Sequence, residues 1–205
     1  MTTKALRGLY RSEAIPVSEA LPVQTVGGGV RDASVLPASG SNAQKVTSLT
    51  WPRMEELVGR IAEAVRGEGM PETLVAVLRG GGVPAVWLAH RLGLRDVRAV
   101  EVTHTADDST NATKTPQPMV VNPASLGDLT SRDVLVVDDV AGTGHTLAAA
   151  AQLVAQAGAS RVRTAVCAVN ADNWTGRQPA ERSITYIATT THGWVAFPWE
   201  DTDEH

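Results

Sequence analysis

The chain has 205 residues, 43% hydrophobic and 20% charged, enough for one domain with a real core or one domain plus an appendage. A net charge of −4 argues against a nucleic-acid binder working by bulk electrostatics. A single cysteine, Cys167, excludes an internal disulfide and disfavours a cysteine-ligated metal, and no apolar run approaches the ~20 residues that span a bilayer.

Residues 1–44 mix Pro, Gly and Ser with no sustained period and read as an irregular or mobile extension. The opening "MTTKALRGLYRSEAIP" lacks the apolar core of a secretory signal, so a cytoplasmic protein is expected. "GGGV" at Gly27–Val30 has no helix after it and reads as a linker. The pattern tightens from Val46. Met54, Leu57, Val58, Ile61, Ala62 and Val65 recur at helical spacing behind Thr50 as N-cap, with Pro52 in the first turn. "ETLVAVLRGGG" is an apolar run ending in glycines, suited to a buried parallel strand. "VPAVWLAHRLGL" follows as a helix ending near Gly93, and "DVRAVEVTH" as a second strand.

Residues 105–128 are polar and Pro-containing without a period, and read as a long loop, either a mobile active-site lid or disorder. A strand over 133–138, a loop and a helix over 144–157 come next. "SRVRTAVCAVN" gives another strand, with Cys167 as a core residue. "SITYIATTTHGWVAFPWE" gives a short strand and a Trp- and Pro-rich tail. Alternating strands and helices imply an α/β fold: an open, mostly parallel twisted sheet flanked by helices, with a small C-terminal hood.

Ligands of such sheets bind beyond the carboxyl ends of the strands, where two glycine loops fall: "RGGG" at Arg79–Gly82 and "AGTGHT" at Ala141–Thr146. Neither matches a P-loop or a GxGxxG fingerprint. The stretch "VLVVDDVAGTGHTLAAA" carries two acids, Asp138 and Asp139, directly before a small-residue turn into a helix. Such a turn attracts anions through free N–H groups and the helix dipole, which sits oddly beside two carboxylates. A sugar phosphate resolves the conflict. Backbone N–H groups of Gly142–Thr146, with the Thr143 and Thr146 hydroxyls, suit the phosphate. Asp138 and Asp139 suit sugar hydroxyls or Mg²⁺. One acid capping the helix is the plainer alternative, but a cap needs only one.

"VLVVDDVAGTGHT" resembles the phosphoribosyl diphosphate (PRPP) binding motif of the type I phosphoribosyltransferases. "VLRGGGVPAVWLAHRLG" is similar to their pyrophosphate loop and following helix, especially in the bacterial xanthine-guanine branch. "GWVAFPWE", Gly193–Glu200, looks like the C-terminal segment of the bacterial and archaeal xanthine/guanine/hypoxanthine enzymes, and "LTWPRMEELV" like their first helix. The resemblance covers roughly residues 46–200 and makes 45–205 a phosphoribosyltransferase domain.

It implies transfer of 5-phosphoribosyl from PRPP to a ring nitrogen of a purine-like base, releasing pyrophosphate with inversion at C1. Asp138 and Asp139 would hold the ribose and Mg²⁺, and Ala141, Gly142, Thr143, Gly144, His145 and Thr146 the 5-phosphate. Arg79, Gly80 and Gly81 would hold pyrophosphate, through an unusual cis peptide in that loop, with Lys114 of the polar loop as a further candidate. Trp194 would cover the base while the Val195 backbone reads its edge. The partners implied are PRPP and a nitrogen heterocycle, without nucleic acid or membrane, in a homo-oligomer by analogy with relatives that are dimers or tetramers.

The sequence departs from the resemblance in three places. The 6-oxopurine enzymes carry an acid near the purine N7 where this chain has Gly142. Their lysine for the 6-oxo group falls at Val169 or Asn170, and the tail acid that helps place a second metal is replaced by Ala196. Asn170 could donate one uncharged hydrogen bond to a carbonyl. His104, His145 and His192 are other sources of a base by type. A non-purine heterocyclic acceptor, or a PRPP-binding regulator without turnover, are therefore alternatives.

Overall fold

The computed structural model describes residues 46–105 and 114–200, with the side chains of residues 104, 105 and 114–117 outside that description. The expected extension over 1–44 and the Gly27–Val30 linker lie outside the described residues. After a short strand β1 (Val46–Ser48), helix α1 (Trp51–Glu68) begins as its sequence dictates. The Thr50 side chain accepts a hydrogen bond from the Arg53 N–H at 3.4 Å, and Pro52 occupies the first turn. All six periodic residues, Met54 through Val65, are buried. Each large aliphatic among them contributes about 1.5–3 kcal/mol by leaving water.

Six strands form one sheet. β2 (Thr73–Leu78), β3 (Val97–Thr105), β5 (Asp133–Ala141), β6 (Arg161–Asn170) and β7 (Tyr186–Thr191) run parallel, while β4 (Lys114–Val120) is antiparallel at an edge. The spatial order is β4-β3-β2-β5-β6-β7. Helix α2 (Gly82–Leu92) joins β2 to β3 and ends on Gly93, which takes the left-handed conformation at φ +71°. Helix α3 (His145–Gln156) joins β5 to β6, and a single turn α4 (Ala180–Ser183) precedes β7. A second strand of the tail, β8 (Trp194–Ala196), pairs with β1 in a separate two-stranded hood.

Two apolar layers sandwich the sheet because its strands alternate with period two. Leu74, Ala76, Leu135, Val137, Ala165 and Cys167 pack with α1 and α2 on one face. Val75, Val77, Val134, Val136 and Val166 pack with Leu147, Ala150 and Val154 of α3 on the other. Cys167 is fully buried, as expected of a core residue.

One expectation requires correction. The described part of residues 105–128 is not a structureless loop: β4 and a 3₁₀ turn at Pro123–Leu126 lie within it, and residues 106–113 lie outside the described residues. β4 was hidden by Pro116 and Pro118, which cannot donate to a ladder. An edge strand has one row of N–H groups to spare, and residues two apart point theirs the same way. The 3₁₀ turn is anchored by Leu126, which is buried, and by the Ser125 hydroxyl donating to the Ala99 carbonyl at 2.5 Å.

At the amino ends of the strands a polar network closes the sheet. Arg163, 1% exposed, grips Asp133 through Nε (3.1 Å) and Nη2 (2.8 Å). Its Nη1 donates to the Gly69 carbonyl at 2.9 Å and to the Tyr186 hydroxyl at 3.2 Å. That hydroxyl donates onward to Glu68 at 2.9 Å. Removing a buried cation from such a set leaves its partners desolvated and unpaired. Arg163→Met is therefore expected to lower the unfolding free energy by about 3 kcal/mol, measured by urea denaturation. Ligand affinity at the opposite end of the sheet should not change.

Candidate active site

The carboxyl end of β5 carries the site. Asp138 and Asp139 end its buried run, and the chain turns through Gly142–Gly144 into α3. Gly144 is the N-cap, at φ +80° and ψ −6°, and no side chain caps the helix. The His145 N–H approaches the Thr143 hydroxyl at 3.4 Å, a weak contact. The first turn of α3 thus presents backbone donors and the positive end of the helix dipole to its surroundings.

A cleft of about 320 Å³ opens over this turn. Seven residues expected at the site line it: Arg79, Asp138, Ala141, Gly142, Thr143, Gly144 and Thr146. Glu101, Val102 and Thr103 of β3 line it too and were not anticipated. The signal for them lies in topology, since β3 is the neighbour of β2 and ends beside the glycine loop. His145 is exposed at the first position of α3.

The two acids are not equivalent. Asp138 lines the cleft, whereas Asp139 lies beneath the Arg79–Gly82 loop. A Cβ on Gly80 would stand 2.0 Å from Asp139 Oδ2, and one on Gly81 would stand 2.5 Å from the Val77 carbonyl oxygen and 2.6 Å from that of Val137. Only glycine permits this approach. The Leu78–Arg79 peptide is cis, as the resemblance implied for that loop.

Asp138 and Asp139 are 7% and 8% exposed. Asp138 Oδ1 accepts the Asp139 N–H at 3.0 Å, and Asp139 Oδ1 accepts the Val140 N–H at 2.6 Å. Burial holds the Asp138 carboxyl well above the usual carboxylate range, and the charge of Asp139 pushes the same way. Asp139 is pushed up to about 6, first by burial; the Val140 N–H opposes this, and the Glu200 carboxylate adds to the rise. Ala196, where relatives place a tail acid, is buried in β8, and it is Glu200 whose charge reaches Asp139.

The residues expected at the base do not line this cleft. Trp194 and Val195 sit on β8 of the hood, Trp194 40% exposed and Val195 buried, and neither lines the cleft. Asn170 is buried with its amide already committed: Nδ2 donates to the Gly193 carbonyl at 2.5 Å, and Oδ1 accepts the Asp172 N–H at 3.1 Å. Asp172 accepts the Gly193 N–H at 2.8 Å and pairs with the exposed His192 ring at 2.6 Å. Both peptide groups of Gly193, at φ +78°, are thus fixed from the end of β6 just before Trp194. Lys114 opens β4 and His104 lies in β3, but their side chains fall outside the described residues.

A carboxyl held above its ordinary value of 3.8 keeps its proton in the folded chain after the unfolded chain has lost it. Stability is therefore greatest below that value and falls as pH rises through about 6. Asp139→Asn keeps the Oδ1 acceptor and removes the charge. At pH 8 it is expected to raise the unfolding free energy of the ligand-free protein by about 1–3 kcal/mol, with little gain at pH 4, as read from thermal melts.

Residues 47–201 match the phosphoribosyl transferase domain family. The chain is 27% identical over 154 residues to xanthine-guanine phosphoribosyltransferase of Gluconobacter oxydans, covering 75% of this chain and 83% of the relative. It is 30% identical over 126 residues to the bifunctional protein PyrR of Bacillus velezensis, covering 56% and 68% respectively. The crystal structure of a purine phosphoribosyltransferase from Pyrococcus horikoshii superposes with a TM-score of 0.63 at 31% identity, covering 78% of this chain and 97% of that one. The family match takes in both glycine loops and the acid pair between them, and on that footing the chain belongs to the phosphoribosyl transferase family.

Proposed function

We propose that the chain transfers the 5-phosphoribosyl group of PRPP to a ring nitrogen of a purine-like base of the guanine, xanthine or hypoxanthine type. One observation carries this reading: the first turn of α3, without a side-chain cap, and the Asp138 carboxyl open into the same cleft, which Arg79 also lines. An anion and a set of hydroxyls on one molecule satisfy both halves. The names of the Gluconobacter and Pyrococcus relatives point to purine-type acceptors.

In this reading the amides from Gly142 to Thr146 hold the 5-phosphate, and Asp138 accepts hydrogen bonds from the ribose hydroxyls. Arg79 and the backbone of Gly80 and Gly81 face the pyrophosphate. The C1–oxygen bond to pyrophosphate breaks, the electron pair leaves with it, and the bond from the acceptor nitrogen to C1 forms on the opposite face. Positive charge grows on the sugar and negative charge on the leaving group, so fixed donors and a positioned guanidinium lower the barrier.

Mg²⁺ fits the donors present. Hard carboxylate oxygens are its ligand type, and among the described residues no three His, Cys, Asp or Glu side chains converge. Asp138 and Asp139 would hold such a cation, which would take no more than two carboxylates from the protein. That is how Mg²⁺ is usually bound, and it supplies charge to stabilise the leaving pyrophosphate. It also relieves the repulsion between two buried acids.

Gly142 offers no proton acceptor. A Cβ there would meet only the Asn173 Cβ, at 3.8 Å, so the position has room for a side chain. Among the residues lining the cleft, Glu101 is the carboxylate other than Asp138. The open position favours a second reading, a PRPP-binding regulator without turnover.

The deciding measurement is pyrophosphate release from PRPP and Mg²⁺ with guanine, xanthine, hypoxanthine, adenine and uracil in turn. Release with at least one 6-oxopurine, and formation of its nucleoside monophosphate, is expected. PRPP binding without release on any base would favour the regulator, and no binding would end both readings. Asp138→Asn is expected to lower kcat/KM by about 10²–10³-fold. Gly142→Asp should leave the melting temperature unchanged and raise kcat on hypoxanthine by about tenfold if proton removal limits turnover.

A further inference from the structure

We infer that Trp174 is a positioning residue for the phosphate loop, acting through Gly144. The inference rests on the phosphoribosyl reading of that loop and adds a residue that neither glycine motif contains.

Trp174 lies beyond the end of β6 in a polar turn, where a large aromatic has no evident reason to be. Its indole is held by contacts on two edges. A Cβ on Gly144 would stand 2.6 Å from Cζ3 and 2.7 Å from Cη2. A Cβ on Gly176 would stand 2.7 Å from Cζ2 and 2.9 Å from Cε2. The indole N–H donates to the Gln178 carbonyl at 2.9 Å, which fixes the ring against rotation. The rest of the side chain packs against the apolar layer that contains Leu147, Ala150 and Val154 of α3.

The ring therefore abuts Gly144 at the point where the loop becomes a helix. Gly144 needs such support. It is left-handed, it is glycine, and no side chain caps the helix it begins, so little in the local sequence fixes its torsions. Amides that bind an anion must all converge on one point, and a shift of about 1 Å can cost up to 10²-fold. Trp174 does not line the cleft, so it meets the loop from outside and leaves the donors facing inward. A space-filling tryptophan would not require glycine on two of its edges. Both glycines are explained if the ring must sit flush against the loop.

The effect should be confined to the phosphate end of PRPP. The test compares ribose 5-phosphate, which engages the loop, with pyrophosphate, which engages the Arg79–Gly82 side, by calorimetric titration of the full chain. Trp174→Leu is expected to raise the Kd for ribose 5-phosphate and the KM for PRPP about tenfold, with a smaller change in kcat. The Kd for pyrophosphate should stay within about twofold, since the affected turn does not touch it. Trp174→Phe should recover most of the loss. Gly176→Ala, which pushes the ring without approaching the ligand, should reproduce it, and it carries the test if Trp174→Leu does not fold. Unchanged ribose 5-phosphate affinity in Trp174→Leu and in Gly176→Ala would overturn the inference, as would equal losses for both ligands. If the unmodified protein bound neither compound, the functional reading itself would fail, and this inference with it.

Discussion

The backbone of Gly80 and Gly81 lies so close to the end of β5 that a single added carbon at either position would collide with it. That contact shapes the rest of the site. It covers Asp139, brings the Arg79 loop over the strand that carries both acids, and makes the cleft floor from two strand ends at once. It also keeps water from the Asp139 carboxyl, which, like that of the buried Asp138, holds its proton above the usual range. A larger residue at position 80 or 81 would separate the loop from the strand and rehydrate Asp139. The glycines and the aspartates are thus one device, although they stand nearly sixty residues apart in the chain.

The two ends of the sheet contrast in how they treat charge. At the amino ends Arg163 is nearly inaccessible, yet Asp133, Tyr186 and the Gly69 carbonyl satisfy it. At the carboxyl ends two like charges are buried together, and burial opposes their ionisation. The first arrangement stabilises the fold; the second destabilises the ligand-free protein at neutral pH and is relieved by whatever cation or hydroxyl groups occupy the cleft. Local instability of this kind concentrates at sites that bind. It is a stronger pointer to function than the motif alone, because a helix cap would have needed neither the second acid nor the covering loop.

How much of this could be read in advance follows from what each segment had to satisfy. Helix α1 was legible because its apolar residues repeat at 3.6 and its N-cap is a threonine before a proline. The buried strands β2, β5 and β6 were legible as aliphatic runs. β4 was not, since its prolines contradict a strand anywhere but at an edge, and edge position depends on the whole sheet. The acid pair and the proposed phosphate loop are contiguous in sequence, so their juxtaposition needs no tertiary information. Glu101 and Thr103 join them only through strand order. Asn170 was read as facing a base, but a buried amide takes the nearest partners, and the Gly193 peptide supplied one.

The segment after β6 then acquires a meaning that its polar sequence conceals. Asn170 and Asp172 hold both peptide groups of Gly193 and so set where β8 and Trp194 begin. Asn173 stands beside Gly142, and Trp174 lies against Gly144. Four residues of the 170–174 turn therefore reach the start of the hood strand on one side and the proposed phosphate loop on the other. Since the Asn173 N–H also donates to the Asn170 carbonyl at 3.2 Å, the turn is closed on itself and transmits position from one side to the other. Neither flank can shift far without disturbing hydrogen bonds or a ring contact on the opposite flank. The turn thus ties the start of the hood strand to the proposed phosphate loop through side chains that neither glycine motif contains.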